Sequence, residues 1–425
     1  MRICIILLLG MLGFGSGIAA TPPEQDPLTL DAAVLAVLEN NPALLAGDYQ
    51  AQAAAARIRQ AQQSTPVQVK LELENFAGSG VFSGEDLLET TLSLGKVLEL
   101  GNKADLRGEV AHNEAALLGS ERDAEQLDLL AEAARRFKHV VVDQERLKIA
   151  REKLVLAERT AATVDERVRV GKSPDAERRR VRIAVARAEL ELEHAEHELA
   201  SSRVKLATQW GDTEPGFSSA YASLFDINPV DSFDTLAQLL ERNPDLARYA
   251  SEQRLADARM RLAQSRRRMD IELSGGLRYF NLNNESALVV SASLPLGSGS
   301  RASPGIESSR LLSDRQPLLY RQRQLELHAS LYEIYQELSH ALTASQILHE
   351  QIVPEAELAL RGYEQGYQAG RYSLLELSDA QELLLDARLE AVMTASDFHS
   401  YRIEIERLTG QAMTMGVSQR NLYQY

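Results

Sequence analysis

The chain has 425 residues and a formal net charge of −15 at pH 7, and aromatic residues make up only 5% of it. An acidic protein of this kind repels nucleic acid, so the charge excludes a nucleic-acid partner and favours cationic or neutral ligands. The one cysteine, Cys4, lies close to the N-terminus, which excludes disulfides and thiolate metal sites from the rest of the chain.

Residues 1–20 form a predicted secretory signal peptide. Arg2 precedes an apolar run from Ile3 to Leu12, and the small residues Ala19 and Ala20 provide a cleavage site. A membrane anchor is the alternative, but the run is shorter than the ~18 residues that a membrane-spanning helix requires. Cleavage removes Arg2, which takes the formal net charge from −15 to −16, and it leaves no cysteine that could carry a lipid.

The mature chain is predicted to consist of two similar halves. The stretch NPALLAGDYQAQAAAARIRQAQ (Asn41–Gln62), within a helix predicted over about Leu28–Ser64, returns as NPDLARYASEQRLADARMRLAQ (Asn243–Gln264), with nine of 22 positions identical. A repeat at this separation indicates an internal duplication. We therefore predict a first repeat over 21–211, a linker or equatorial segment over 212–231, a second repeat over 232–410 and a tail over 411–425.

A two-residue period follows the first helix of each half and predicts a β-hairpin over 66–100 and another over 269–296. The apolar positions of the four strands alternate with polar ones: Val67, Val69, Leu71 and Leu73; Leu92 and Leu94; Ile271, Leu273 and Leu277; Leu288, Val290 and Leu294. Strands of this length and pattern suit a transmembrane β-barrel. A soluble sheet with one wet face is the alternative.

Four strands cannot close a barrel, and open strand edges do not persist in lipid. Two chains would give eight strands around an interior filled by side chains, whereas three chains would give twelve strands around a pore. Because the polar strand faces require water, we predict a homotrimer whose twelve strands lie in outer membrane lipid.

Two long helical hairpins complete each half, so the predicted fold class is mainly α with a small β part. Their apolar residues recur at spacings of three and four, the 3.5-residue period of a coiled coil. Gly171 and Gly370 interrupt the two patterns, and we predict a reversal of the chain, or tip, at each. A helix over Ala104–Val170 would be roughly 100 Å long at ~1.5 Å per residue, which predicts an elongated protein that extends far from the membrane.

The chain resembles the TolC-like outer membrane efflux proteins over essentially its full mature length. The resemblance is carried by the duplication, by the paired NP helices and by the stretches Ile352–Ala391 and Ala157–Glu177. The segment LELGNK (Leu98–Lys103) resembles the corresponding segment of the heavy-metal branch of this family, the cobalt–zinc–cadmium type. The chain departs from the family pattern in two places. Many relatives carry a lipidated N-terminal cysteine, whereas this chain is predicted to keep no cysteine after cleavage. The Gly/Ser-rich segment Gly297–Gly305 is unusual and is hard to place.

This resemblance implies a passive exit duct across the outer membrane and periplasm. It implies a homotrimer that docks onto a periplasmic adaptor and an inner-membrane pump, often of the resistance-nodulation-division class. Divalent metal cations are the leading cargo, with drugs or exported proteins as alternatives. A non-conducting periplasmic coiled-coil scaffold would explain the heptads but not four amphipathic strands in two equivalent places.

Glu376 and Asp379 lie three residues apart on one face of the helix after the second tip. The resemblance places an acidic constriction, or gate, at these positions, and no base stands four residues from either acid. We therefore predict that the two carboxylates lack local partners and form rings in a trimer. Tyr367 and Tyr372 are predicted to brace the closed tips, with Arg371 a weaker candidate. The residues predicted to dock the adaptor are Gly171, Lys172, Ser173, Gly370, Arg371 and Ser373.

The sequence contains no catalytic constellation, so we predict neither an enzyme nor a cofactor. His194 and His197 form a weak candidate pair for a divalent ion, and a solvated helix surface is the alternative. The run Arg178-Arg179-Arg180 and Arg182 near the first tip is interpreted as a solvated face paired with nearby Glu, and an adaptor contact is the alternative.

Overall fold

The structure is a computed structural model that describes residues 27–415. The predicted signal peptide and residues 416–425 of the predicted tail lie outside the described residues. Within residues 27–415, no helix contains an apolar stretch of the length that a bilayer crossing requires.

Helices dominate the fold, as the sequence predicts. The helices are α1 (Leu30–Asn40), α2 (Pro42–Ala61), α3 (Lys103–Arg169), α4 (Asp175–Ala207), α5 (Phe233–Leu239), α6 (Pro244–Ser265), α7 (Ser298–Ile347), α8 (Val353–Gln368) and α9 (Leu374–Thr409). The strands are β1 (Gln68–Glu74), β2 (Glu89–Leu98), β3 (Ile271–Phe280) and β4 (Glu285–Ser293). The prediction of a mainly α fold with a small β part is confirmed.

Each Asn-Pro pair separates two helices, so the single helix predicted over Leu28–Ser64 is wrong. Asn41 adopts an extended conformation, its side chain caps α2 by accepting from the N–H of Ala43 (2.9 Å), and Pro42 occupies the first helical position. The amide nitrogen of Asn41 also donates to the carbonyl of Gln209 (2.7 Å), just beyond α4. Asn243 repeats the arrangement before α6 and donates to Leu408 O of α9 (2.6 Å).

The four strands form one antiparallel sheet in the order β1-β2-β3-β4. Its register aligns a row of leucines on one face: Leu71, Leu92, Leu277 and Leu288. These side chains are 56–74% exposed, whereas Thr91 on the other face is buried. On that polar face Arg278 donates to Glu74 and to Glu89 (2.8 Å each) and thereby ties three strands together. In this single chain, then, no other part of residues 27–415 covers the apolar face of the sheet.

The helices pack side by side into a wall. Near the sheet the order across the wall is α2, α3, α6 and α7, and towards the tips it is α4, α3, α9 and α8. The longest helix, α3, has 67 residues and spans roughly 100 Å at ~1.5 Å per residue. It therefore takes part in both levels and connects them.

The Gly/Ser-rich segment that the sequence could not place begins α7. Gly297 has φ 83°, which lets the chain leave β4 and enter the helix at Ser298, and Pro304 and Pro317 lie within α7. A π-helical turn, Leu348–Ile352, then separates α7 from α8. Pro354 follows this turn, and a proline lacks the N–H that would bond the carbonyl four residues earlier, which explains the irregular turn at this point.

Three hydrophobic clusters lie along the wall. The middle cluster packs Phe217 and Leu224 of the equatorial segment (212–231) against α3 and α9. The upper cluster joins α5, α6, α7 and α9 around Leu331 and Leu338, and the tip cluster joins both hairpins around Tyr367. The equatorial segment is therefore packed into the core, although its sequence has no clear period.

Candidate gate at the helical tips

The two tips lie against each other through Arg167 of α3. Its guanidinium donates to the backbone carbonyl of Tyr367 (2.9 Å) and lies 4.6 Å from the centre of the Tyr367 ring, a cation–π geometry. A second guanidinium nitrogen donates to Ser173 Oγ (3.2 Å) in the turn after α3. Arg167 thus links the end of the first hairpin to the end of the second, a contact that no sequence pattern indicated.

Tyr367 is the tyrosine that reaches across the tips, and its side chain is only 2% exposed. Burial raises the pKa of its hydroxyl, so this group stays protonated. Tyr372 instead packs within the second hairpin, with its ring centre 4.8 Å from that of Tyr363. A Cβ at Gly366 would collide with the Tyr372 ring, so glycine is required for this packing.

Glu376 has a local partner, contrary to the sequence prediction. Its carboxylate accepts from the Ser373 backbone N–H (2.8 Å) and hydroxyl (2.8 Å), while Ser373 Oγ accepts from the Glu376 N–H (3.3 Å). This capping box at the start of α9 was missed because the prediction counted only basic partners. Hydrogen bonds from Ser373 lower the pKa of the fully exposed Glu376 carboxyl, so it is charged at neutral pH.

Asp379 is exposed, and its side chain makes no hydrogen bond or ion pair to any residue in 27–415. Further exposed acids continue the same side of α9: Asp386 lies seven residues after Asp379, and Asp397 lies seven residues after Glu390. An interval of seven keeps residues on one face of a coiled-coil helix. The acidic pair is thus the tip end of a longer acidic face, which the heptad spacing could have shown.

The two tips have the same backbone geometry. Gly171 and Gly370 both have φ 74°, and the following N–H groups, of Lys172 and Arg371, bond carbonyls of the preceding helix (2.8 Å each). Both turns are therefore Schellman motifs, in which glycine is favoured. Of the predicted docking residues, Ser173 and Ser373 are engaged in the bonds described above. Gly171, Lys172, Gly370 and Arg371 lie exposed at the turns.

The other candidates lie on α4. His194 and His197 are exposed on α4, and residues 27–415 contain no cluster of three or more His, Cys, Asp or Glu side chains that could hold a metal. In the arginine run, Arg178 and Arg179 pair with Asp175 rather than with Glu. Within one turn of a helix this acid is the nearest available, because it lies three and four residues before them.

A groove of about 1150 Å³ runs between α3, α4 and α9. Its α9 lining is Ser378, Gln381, Glu382, Leu385, Asp386 and Leu389. Asp386 lies seven residues after Asp379 and therefore on the same face of α9. The acidic face and the groove thus adjoin on this helix.

A model of the family described as outer membrane efflux protein matches residues 34–212 and, separately, residues 235–411. The chain belongs to the outer membrane efflux protein family. The resemblance predicted from the sequence is confirmed, and with it an efflux role and a location in the outer membrane of Gram-negative bacteria.

Among its relatives in this family is the cobalt-zinc-cadmium resistance protein CzcC of Cupriavidus metallidurans. The two are 26% identical over 385 residues, which cover 91% of this chain and 90% of CzcC. The fold is shared with the solved structure of CusC (TM-score 0.72, 18% identity, 90% of this chain and 92% of that one). It is also shared with the outer-membrane channel OprN (0.74, 17%, 90% and 89%) and with VceC of Vibrio cholerae (0.69, 19%, 91% and 97%).

Proposed function

We propose that this efflux protein is the passive outer membrane duct of a tripartite system that exports divalent metal cations. The observation that carries the proposal is the outward apolar face of the sheet at one end of a long helical wall. A leucine row 56–74% exposed is unfavourable in water and favourable in lipid. A periplasmic scaffold would have no use for such a face, and a duct that crosses the membrane requires one.

The open edges of the wall support a homotrimer. On α7, at one edge, four residues spaced by seven are 52–71% exposed: Leu311, Leu318, Leu325 and Tyr332. At the opposite edge, Leu45 and Tyr49 of α2 are exposed as well. Because different surfaces form the two edges, copies join head to tail and close a ring. Three copies give twelve strands with no free strand edge and a water-filled interior.

Native mass spectrometry of the detergent-solubilised protein tests this assembly. We expect a complex of three chains, with a mass that corresponds to cleavage near Ala20 and to no added acyl group. A stable monomer or dimer would contradict the trimer.

We further propose that Glu376 and Asp379 form the gate. In a ring of three chains they become two adjacent rings of carboxylates at the periplasmic end, held by the Ser373 cap and by the contact of Arg167 with Tyr367. Rings of acidic side chains select cations and bind them. The exposed tip residues Lys172 and Arg371 and the groove between α3, α4 and α9 are available to a periplasmic adaptor, which would connect the duct to an inner-membrane pump.

The double variant Glu376→Gln, Asp379→Asn tests the gate. Glutamine keeps the capping box, so the charge is removed without loss of the helix start. We expect lower cation selectivity and loss of block by divalent cations added on the tip side. Asp397→Asn, on the same helix face but far from the tip, is the control, and equal block in wild type and double variant would refute the gate.

Two observations support divalent metal cations as the cargo. The relative CzcC is a cobalt-zinc-cadmium resistance protein, and the acidic face of α9 attracts cations. Deletion of the gene should lower growth on zinc, cobalt or cadmium, and the wild-type gene should restore it. Sensitivity to drugs instead of metals would assign the duct a different cargo.

A further inference from the structure

Three consecutive arginines, Arg266–Arg268, form the turn between α6 and β3. All three side chains are exposed, and none makes a hydrogen bond or ion pair to any residue in 27–415. They stay without a partner although the chain carries 61 acidic residues and only 46 lysines and arginines. Three adjacent cations of this kind form a surface that attracts anions.

The connection between β2 and α3 holds this arginine turn in place. Lys103 donates to the carbonyl of Arg268 (2.9 Å) and to the carboxylate of Asp270 (2.6 Å). The same carboxylate accepts from the N–H of Leu100 (3.2 Å). The stem of Arg268 packs on Gly101, where a Cβ would lie 2.9 Å from Arg268 Cγ. The acid nearest in sequence to the arginines is thus already paired, and the turn has a fixed backbone with free guanidinium groups.

The arginine turn lies where the apolar face of the sheet meets the helices. Five apolar side chains at the strand ends and connections of this level are 37–82% exposed: Leu98, Leu100, Met269, Leu294 and Leu296. Long cationic side chains beside exposed apolar ones are typical of a membrane–water interface, where acyl chains end and phosphate groups begin.

Lys96 provides a further cation on the apolar face itself. It follows Leu92 and Leu94 on that face of β2 and lies opposite Leu273 of β3. Its side chain is exposed and has no ion pair within the described part of the chain. At ~3.3 Å per residue it lies about 13 Å along the strand from Leu92, close to the helix end of β2. A lysine at this position extends its ammonium group from the apolar face towards the interface.

The hairpin end of the sheet carries mainly acids instead. Five of them stand at the strand ends or in the β1–β2 loop: Glu74, Glu85, Asp86, Glu89 and Glu285. Glu74 and Glu89 share Arg278 as their partner. An anionic headgroup is therefore favoured at the helix end of the sheet and disfavoured at the hairpin end.

We propose that Arg266–Arg268 and Lys96 bind the phosphate of an anionic phospholipid whose acyl chains lie on the apolar face of the sheet. Guanidinium groups donate to the phosphate oxygens, and the exposed leucines at the strand ends contact the acyl chains. The headgroup belongs to the periplasmic leaflet, a placement that rests on the proposed function. Bound at this level, the lipid fixes the depth of the sheet in the membrane.

Native mass spectrometry of the detergent-solubilised full-length protein tests the lipid site. The probes are phosphatidylglycerol and phosphatidylcholine with identical acyl chains, and the measurement is the fraction of each that the protein retains. We expect the wild type to retain phosphatidylglycerol at about tenfold lower lipid concentration. The combined change Arg266→Gln, Arg267→Gln and Arg268→Gln should abolish this preference. Lysine at the same three positions should keep most of it, because the charge is retained.

The matched control is the combined change Arg180→Gln, Arg182→Gln and Arg187→Gln on α4. It removes three arginines that are also exposed and without an ion pair in residues 27–415, so the net charge changes equally. This variant should retain the preference of the wild type. An equal loss in both glutamine variants would mean that net charge, and not the arginine turn, selects the lipid.

Equal retention of the two lipids by the wild type, or an unchanged preference in the glutamine variant of the turn, would overturn the proposal. If that variant does not fold, Lys96→Gln decides: it should weaken retention of phosphatidylglycerol about threefold, and no change would refute the site. Glycerol phosphate, which lacks acyl chains, should not displace the lipid at equal concentration. Displacement would assign a phosphate site instead of a lipid site.

These outcomes are separate from those for the duct. The expected lipid preference in a protein that never conducts would support the lipid site and refute the duct. Conduction by a protein that retains both lipids equally would support the duct and refute the lipid site.

Discussion

At the scale of single residues, a few buried polar side chains hold the long helices in register. Asn41 and Asn243 each cap a helix with one side-chain atom and bind the distant end of another with the second. Both side chains are nearly or fully buried. An asparagine therefore joins the start of one helix to the end of another at the corresponding position in each half of the chain.

Asn41→Ala should destabilise the protein by about 2–4 kcal/mol per chain. The cap contributes about 1 kcal/mol, and leaving the half-buried Gln209 carbonyl unpaired costs about 1–3 kcal/mol. A lower thermal unfolding midpoint at a fixed scan rate is the measurement, and Asn243→Ala should repeat the effect. The exposed neighbour Asn40→Ala is the control. Equal midpoints for the Asn40 and Asn41 variants would show that the junction contributes little.

His399 makes the equatorial junction sensitive to acid. Its ring is fully buried, and burial is the main reason that its pKa falls from 6.5 to about 4. Arg402 on α9 and Lys138 on α3 also disfavour its charged form, the hydrogen bond to Leu224 favours it, and Asp226 of the equatorial segment does so weakly. The neutral ring therefore contributes stability that is fully present above pH 6.5 and is lost as the pH falls towards 4.

We expect the wild type to lose about 2 kcal/mol per chain from this group between pH 7 and pH 5. His399→Gln retains a donor for the Leu224 carbonyl but does not titrate in this range. Its unfolding midpoint should therefore fall less than that of the wild type over the same interval. Parallel curves for the two proteins would exclude His399 as the acid-sensitive group.

At the scale of elements, patterns with a short period were readable from the sequence and contacts between distant segments were not. The two-residue alternation located all four strands within residues 27–415 and grouped their apolar side chains on one face, because pleating fixes which side chains share a face. The capping box of Ser373 and Glu376 was also readable, as a Ser and a Glu three apart, but was overlooked.

Other elements left no signal of this kind. Arg167 and Tyr367 are 200 residues apart, and no spacing rule connects them. The equatorial segment has no period because it packs through irregular backbone contacts such as that of Ala220 with Gln144. The π turn depends on a balance between Pro354 and the packing on either side, which the composition of the segment does not reveal.

The strand faces provide an element-scale prediction. Leu288→Arg places a charge on the apolar face of β4, which should cost about 2–4 kcal/mol per chain at the membrane midplane and lower the amount of protein in outer membranes. Ser291→Arg, on the opposite face of the same strand, should be tolerated because that face is polar. Membrane fractionation measures both variants, and equal loss would mean that β4 does not face lipid through Leu288.

At the scale of the whole molecule, a single chain leaves strand edges and apolar helix surfaces uncovered. The sheet ends at the free edges of β1 and β4, and the helical wall ends at apolar surfaces on α7 and on α2. The proposed ring of three copies would cover all of these edges at once. The long α3 helix carries the tips far from the sheet.

The central claim, that the assembled protein is a duct closed at acidic tips, is tested most directly by single-channel recording of the purified wild type in a planar bilayer. We expect discrete, cation-selective conductance steps that divalent cations reduce when added on the tip side and not when added on the other. A trimer that inserts but never conducts, or one that divalent cations block equally from both sides, would contradict the claim.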